Sequence, residues 1–164
     1  MKIVSGGQSG VDRAALDAAI ACGLPYGGWC PRGGWAEDLP QPPGLLAKYP
    51  ELKATPSAEP AQRTEWNVRD SDAVLILVDA AGPAVSPGTR LAGRLLETYP
   101  RPVLMLDPTE PESAARLSDW LAAQRARFGA GFVLSIGGPR ESEAPGIYAH
   151  ALAFLRSAFA QAAS

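Results

Sequence analysis

Histidine appears once and cysteine only twice in this chain, so the side chains most used in nucleophilic and metal chemistry are scarce. The lone histidine, His150, falls in a predicted C-terminal helix and reads as an ordinary helical residue. A histidine-dependent catalytic triad therefore has little to be built from. Cys22 and Cys30 follow a predicted helix and a predicted strand and form no CxxC pair. This argues against a metal site or a disulfide framework and fits a reducing, cytoplasmic setting. An excess of one charge is also missing. A net charge of -2 and a pI near 5.4 give no overall pull toward nucleic acid. No apolar run approaches the roughly 20 residues that cross a bilayer, and the N-terminus enters a strand with no signal-peptide pattern. Glycine and proline, by contrast, are abundant (17 and 16) and gather in the connections, which points to long, shaped loops. The 164 residues are enough for one domain with a real core, expected over 1–164.

The predicted elements alternate. Lys2-Ile3-Val4 is a short strand, and the helix that carries Arg13 to Cys22 repeats Val11, Ala15, Ala18 and Cys22 at helical spacing from its first turn onward. Leu24 to Cys30 reads as a second strand. Leu39 to Pro60 is rich in proline, shows no period and is expected to be a long surface loop. A short helix is expected over 64–70. Ala73 to Val78 is apolar on both faces, as a central parallel strand requires. After a helix bearing Leu91, Leu95 and Tyr99 comes the strand 102–106. A helix with Leu117, Trp120, Leu121 and Phe128 on one stripe leads to a fifth strand, 132–136. A last helix turns Ile147, Ala151, Phe154, Leu155 and Ala158 inward. The pattern predicts an α/β chain: a three-layer Rossmann-like fold with a mostly parallel sheet of five or more strands.

Right-handed crossovers bring the loops that follow the strands to one edge of the sheet, where ligands bind. That edge should carry GGQSG, CPRGGW, SPGT and GGPRES. In SGGQSGVD, at 5–12, glycines between a strand and a helix let backbone N–H groups approach an anion, with the helix dipole behind them. Gly6, Gly7, Gln8, Ser9 and Gly10 are therefore candidate phosphate contacts, as are Gly88 and Thr89 at the start of a second helix. Arg32 and Arg140 can supply the counter-charge, and Arg13 could also reach an anion. Gly33 and Trp35 lie in the CPRGGW loop. Trp35 or Trp29 could take the face of a flat heterocycle. Asp12 is most cheaply explained as a helix-capping residue. Glu65 and Asp38 are the weak candidates for an acid or base, without any spacing that singles out one of them.

These motifs resemble the molybdenum carrier family of Rossmann-like proteins, related to the lysine-decarboxylase-like (LOG) phosphoribohydrolases. The matching pieces are SGGQSGVDRAALDAA at 5–19, GGWCPRGGWAED at 27–38, QRTEWNVRDSDA at 62–73, PGT at 87–89 and GGPRESEAPGIY at 137–148. The resemblance implies binding of molybdenum cofactor (molybdopterin), a pterin carrying a phosphate, by a homo-oligomer, dimer or tetramer. It departs from the phosphoribohydrolases at their PGGxGTxxE motif. Here Ala92 stands where the glutamate would fall, and Glu97 lies further along the helix. The stretch from Leu39 to Tyr49 looks like an expansion relative to the family.

The first expectation is thus a binding protein for a small phosphorylated ligand, molybdenum cofactor or a nucleotide. The alternatives are a nucleoside-phosphate (phosphoribo)hydrolase using a loop carboxylate, and a nucleotide-sensing module. Neither nucleic acid nor membrane is an expected partner, and no metal ligands are expected from the protein.

Overall fold

The computed structural model of the chain describes residues 1–162, the side chains of Val85 and Ala162 excepted. Residues 163 and 164, the end of the expected domain, lie outside the described residues. Six strands form one all-parallel sheet: β1 (Lys2–Val4), β2 (Tyr26–Cys30), β3 (Leu52–Ala54), β4 (Ala73–Leu77), β5 (Val103–Leu106) and β6 (Val133–Gly137). Their order across the sheet is β3-β2-β1-β6-β4-β5. Helices α1 (Val11–Ala21), α2 (Leu45–Lys48), α3 (Pro60–Arg69), α4 (Pro87–Thr98), α5 (Ser113–Phe128) and α6 (Ile147–Ala162) connect or follow them. The chain winds outward from β1 to β3 and crosses to β4 and β5. It then returns to lay β6 between β1 and β4, so the direction of winding reverses at the centre of the sheet.

Each sheet face has its own apolar core. On one face α1, α5 and α6 bury Ala14, Ala15, Leu117, Leu121, Ala151 and Leu155 against Ile3, Leu75 and Leu134. The alanines of α1 let α6 lie close along it. On the other, Val68 of α3, the partly buried Leu95 of α4 and Tyr99 just past its end cover Val74 and Ile76. Every residue of β4 is buried, which explains its unbroken apolar run. Each fully buried aliphatic side chain contributes roughly 1.5–3 kcal/mol. Among the described residues, no helix is long and apolar enough to cross a membrane.

The structure corrects the sequence reading in several places. Residues 39–60 are not a surface loop throughout, for they contain α2 and the strand β3. Leu45, Tyr49 and Leu52 are buried with Leu16 and Cys30 in a third cluster. Leu45 opens α2, Tyr49 follows its end and Leu52 opens β3, so no single period runs through them. Helix α3 starts at Pro60, four residues earlier than expected, with proline where the first turn has no N–H to lose. Phe128 ends α5 at 37% exposure rather than in the core.

Candidate functional site

A cavity of about 380 Å³ opens beside the first turns of α1 and α4 and runs between α3 and α4 over β4 and β6. Its floor is apolar, with Val68, Val74, Ile76, Leu91, Ala92 and Ile136. Its rim is polar. All four glycine-bearing loops contribute: Gly6 and Gln8, then Trp35, then Ser86 to Thr89, then Gly137, Gly138 and Arg140. This size falls in the range of small-molecule sites.

The turn after β1 is pinned on several sides. Ser5 Oγ donates to the Ile136 carbonyl at 2.6 Å, tying the end of β1 to β6. Gly10 has a φ of 79°, and a Cβ there would run into the backbone of Pro139, Arg140 and Glu141. Val11 N–H donates to the Pro139 carbonyl at 3.2 Å. The turns after β1 and β6 are thus packed backbone to backbone.

Asp12 sits in the first turn of α1 and is 3% exposed. Its carboxylate meets Arg63 Nη1 at 2.7 Å, from the first turn of α3. Burial pushes the Asp12 carboxyl above its ordinary range, and attraction to Arg63 and the Gln8 backbone N–H only partly offset this. The Arg63 guanidinium lies against Gly6, where any Cβ would overlap it. Across the cavity, Ser86 caps α4 by accepting from the Thr89 N–H at 3.2 Å. Three buried polar atoms of residues bordering the cavity have no partner among the described residues: Gln8 Oε1, Arg63 Nε and Thr89 Oγ1. An unmet buried polar atom costs about 1–3 kcal/mol, so these three residues have the most to gain from a polar partner.

Of the residues expected from sequence, Gly6, Gln8, Trp35, Gly88, Thr89 and Arg140 border this cavity, and the others do not. Gly7 packs beside Leu45 and Leu52, and its carbonyl accepts from Arg13 Nε at 3.1 Å. Ser9 Oγ donates to Glu37 and accepts from the Glu141 N–H at 3.1 Å. Gly10 is spent on the loop contact just described. Arg32 and Gly33 border a separate, more open depression with Pro40, Pro42 and Ala58. Arg140 bears on Glu143 at 3.3 Å and Glu37 at 3.5 Å. Arg13 does not reach the cavity, because it forms two 2.9 Å bonds to Asp38. Trp29 packs edge-on against Trp66 and donates its Nε1–H to Asp70, away from the cavity. Glu65 accepts from Tyr99 Oη at 2.8 Å and is not a cavity acid.

Arg63, Asn67 and Glu143 are not expected as site residues from sequence, and Asp12 is expected near the cleft chiefly as a helix cap, yet all four border the cavity. Asp12 does not cap its helix: the capping position is Gly10, with no side-chain cap. Arg63 carries a legible signal. Arginine in a helix's first turn opposes the helix dipole and calls for another reason to be there. A helix that starts at Thr64 hides that signal, because it leaves Arg63 outside. Asn67 clamps β2, exchanging 2.9 Å bonds with both the N–H and the carbonyl of Trp29.

The Arg13–Asp38 pair has a testable pH dependence. Arg13 holds the Asp38 carboxyl below its ordinary value of 3.8, so the stabilisation is present above 3.8 and is lost as pH falls through the lower folded value. Asp38 is 47% exposed, so water screens the pair. Asp38→Asn should cost at most about 1 kcal/mol at pH 7 in urea unfolding. The curves should converge below pH 3.8, and a gap that persists there would show that the pair is not its source.

A protein of known structure shares this arrangement of elements. The "Putative molybdenum carrier protein" of Syntrophus aciditrophicus SB is 35% identical, with a TM-score of 0.80 over 96% of this chain and 93% of that one. No match was found among curated proteins. The model of the circularly permutated YpsA SLOG family matches residues 3–159. The chain belongs to the circularly permutated YpsA family of SLOG proteins.

Proposed function

We propose that residues 1–164 act as one domain that binds a small phosphorylated heterocycle, molybdenum cofactor or a nucleotide, in the cavity between α3 and α4. The observation that carries this reading is the set of unmet polar atoms on residues that border a chamber with an apolar floor and a polar rim. The phosphate belongs at the rim, where the glycine turn after β1 and the first turn of α4 both border the cavity. Both helix starts are partly spent, since Asp12 occupies the first turn of α1 and Ser86 accepts from the Thr89 N–H at the start of α4. Thr89 and Arg63 supply donors, and the apolar floor takes the ring.

The residues fit a pterin phosphate. The cavity has an apolar floor, Trp35 among the residues that border it and donors for an anion. Neither Cys22 nor Cys30 borders it, and burial pushes the Cys30 thiol up to about 11. Molybdenum would therefore ride on the pterin's own sulfurs, while the chain holds phosphate and ring. The name of the Syntrophus protein supports this choice of ligand. Assembly into a homo-oligomer and a cytoplasmic setting belong to the same reading.

Thr89→Val tests it. The hydroxyl has no partner among the described residues, so the variant should fold with unchanged stability. Affinity for a phosphorylated ligand should fall about tenfold in calorimetric titration, the loss of one bond to a charged group. Unchanged affinity would remove Thr89 from the anion site. Native mass spectrometry of the purified protein gives the ligand class, because a retained pterin supports the carrier and a retained nucleotide a nucleotide-binding or sensing role.

One observation favours turnover as a second reading: Asp12, not Glu65 or Asp38, is the buried acid at the cavity. A nucleoside-phosphate hydrolase would use it on water. Release of free base from a nucleotide, abolished in Asp12→Asn, would establish that activity.

A further inference from the structure

The cavity's unmet acceptor says more about the ligand than its phosphate does. Gln8 is 2% exposed, and its Nε2 donates to the Trp35 carbonyl at 3.0 Å. A carbonyl only accepts, so this bond fixes which end of the amide carries the hydrogens. The opposite end, Oε1, is then an obligate acceptor, and it has no partner among the described residues. Turning the amide over would set two oxygens against each other. Trp35, whose carbonyl holds Gln8, borders the same cavity and stays half-buried. Trp35 and a fixed acceptor thus border the same cavity.

We propose that Gln8 is the specificity residue of this site. Its Oε1 accepts from a ring N–H or amino group at the ligand's edge, while Trp35 lies along the ring. The inference rests on the reading of the cavity as a phosphorylated-heterocycle site, and narrows that class. Heterocycles with an amino or amide N–H edge are taken, and those with only acceptors are refused. Guanine and the pterin ring share such an edge, a 2-amino-4-oxo pyrimidine. A site built around hydrogen-bonding a donor rejects analogues that lack it, since the buried acceptor stays unpaired.

Calorimetric titration with guanosine 5′-monophosphate, adenosine 5′-monophosphate and purine riboside 5′-monophosphate tests this, because the last keeps the phosphate, sugar and ring but has no donor on the base. Wild-type protein should bind at least one of the first two ten or more times tighter than the donorless analogue. Gln8→Leu should bind all three within about twofold of one another, because only the base-edge bond is lost. Wild-type protein that binds the donorless analogue equally well overturns the inference without recourse to any variant. So does a preference that survives Gln8→Leu, and in both cases the phosphate site stands. If none of the three binds, the nucleotide reading of the cavity fails, and this inference as drawn for nucleotides fails with it.

Discussion

Arg63→Met should destabilise the protein by about 3 kcal/mol at pH 7, the scale for stranding a buried charge by removing its partner. Asp12 is only 3% exposed, and its ion pair is with Arg63. The methionine keeps much of the aliphatic stem, so the loss is mainly electrostatic. The pH dependence identifies it. Burial already lifts the Asp12 carboxyl above 3.8, and loss of Arg63 lifts it further. A raised carboxyl favours folding while it is protonated, below its unfolded value, and that advantage is lost as pH rises through the folded value. The deficit of Arg63→Met should therefore shrink as pH falls toward 4 in urea unfolding. Adding Asp12→Asn should restore most of the stability, and the double-mutant cycle gives the coupling directly. A loss that is small or independent of pH would mean that Asp12 is not held as a carboxylate by Arg63. The same variant should also lose phosphorylated ligands, because Nε and Nη1 belong to one group.

Gly10→Ala should cost about 3 kcal/mol or more, at the upper end for a single substitution. Its φ of 79° lies in the region that disfavours any Cβ. The methyl would also meet the Pro139 carbonyl and the Arg140–Glu141 peptide, which are backbone and cannot rotate aside. Gly23→Ala is the internal control. Gly23 has a φ of 66° but nothing within 4 Å of the place its methyl would take, so only the left-handed strain of about 1–2 kcal/mol applies. The difference between the two measures how firmly the turns after β1 and β6 are locked. Equal losses would show that the lock adds nothing to the conformational strain. Ligand affinity should fall only in Gly10→Ala, because only there do two rims of the cavity move apart.

Much of this is legible in the chain alone. A strand such as Ala73–Leu77, apolar at every position, has few alternatives to a central parallel strand. With helices alternating between such strands, right-handed crossovers leave little choice about which loops share an edge. That is why Gly6, Gln8, Trp35, Gly88, Thr89 and Arg140 can be chosen from sequence and are found around one cavity. The segment 39–60 misleads because its prolines speak about local backbone alone. Burial of Leu45, Tyr49 and Leu52 depends on Leu16 and Cys30, which belong to other elements.

Local pattern and composition thus determined the order of the elements, the parallel α/β architecture and the edge where the loops meet. The tertiary structure decided which polar groups are already spent. Arg13 looks available until it meets Asp38, and Asp12 looks like a cap until it meets Arg63, 51 residues away. Gln8 Oε1 and Thr89 Oγ1 become informative only once their neighbours are placed and neither has a partner among the described residues. A hydrogen bond or ion pair is made across space by groups distant in the chain, so propensity and periodicity cannot say whether it is made. For this protein that remainder is what points to a ligand.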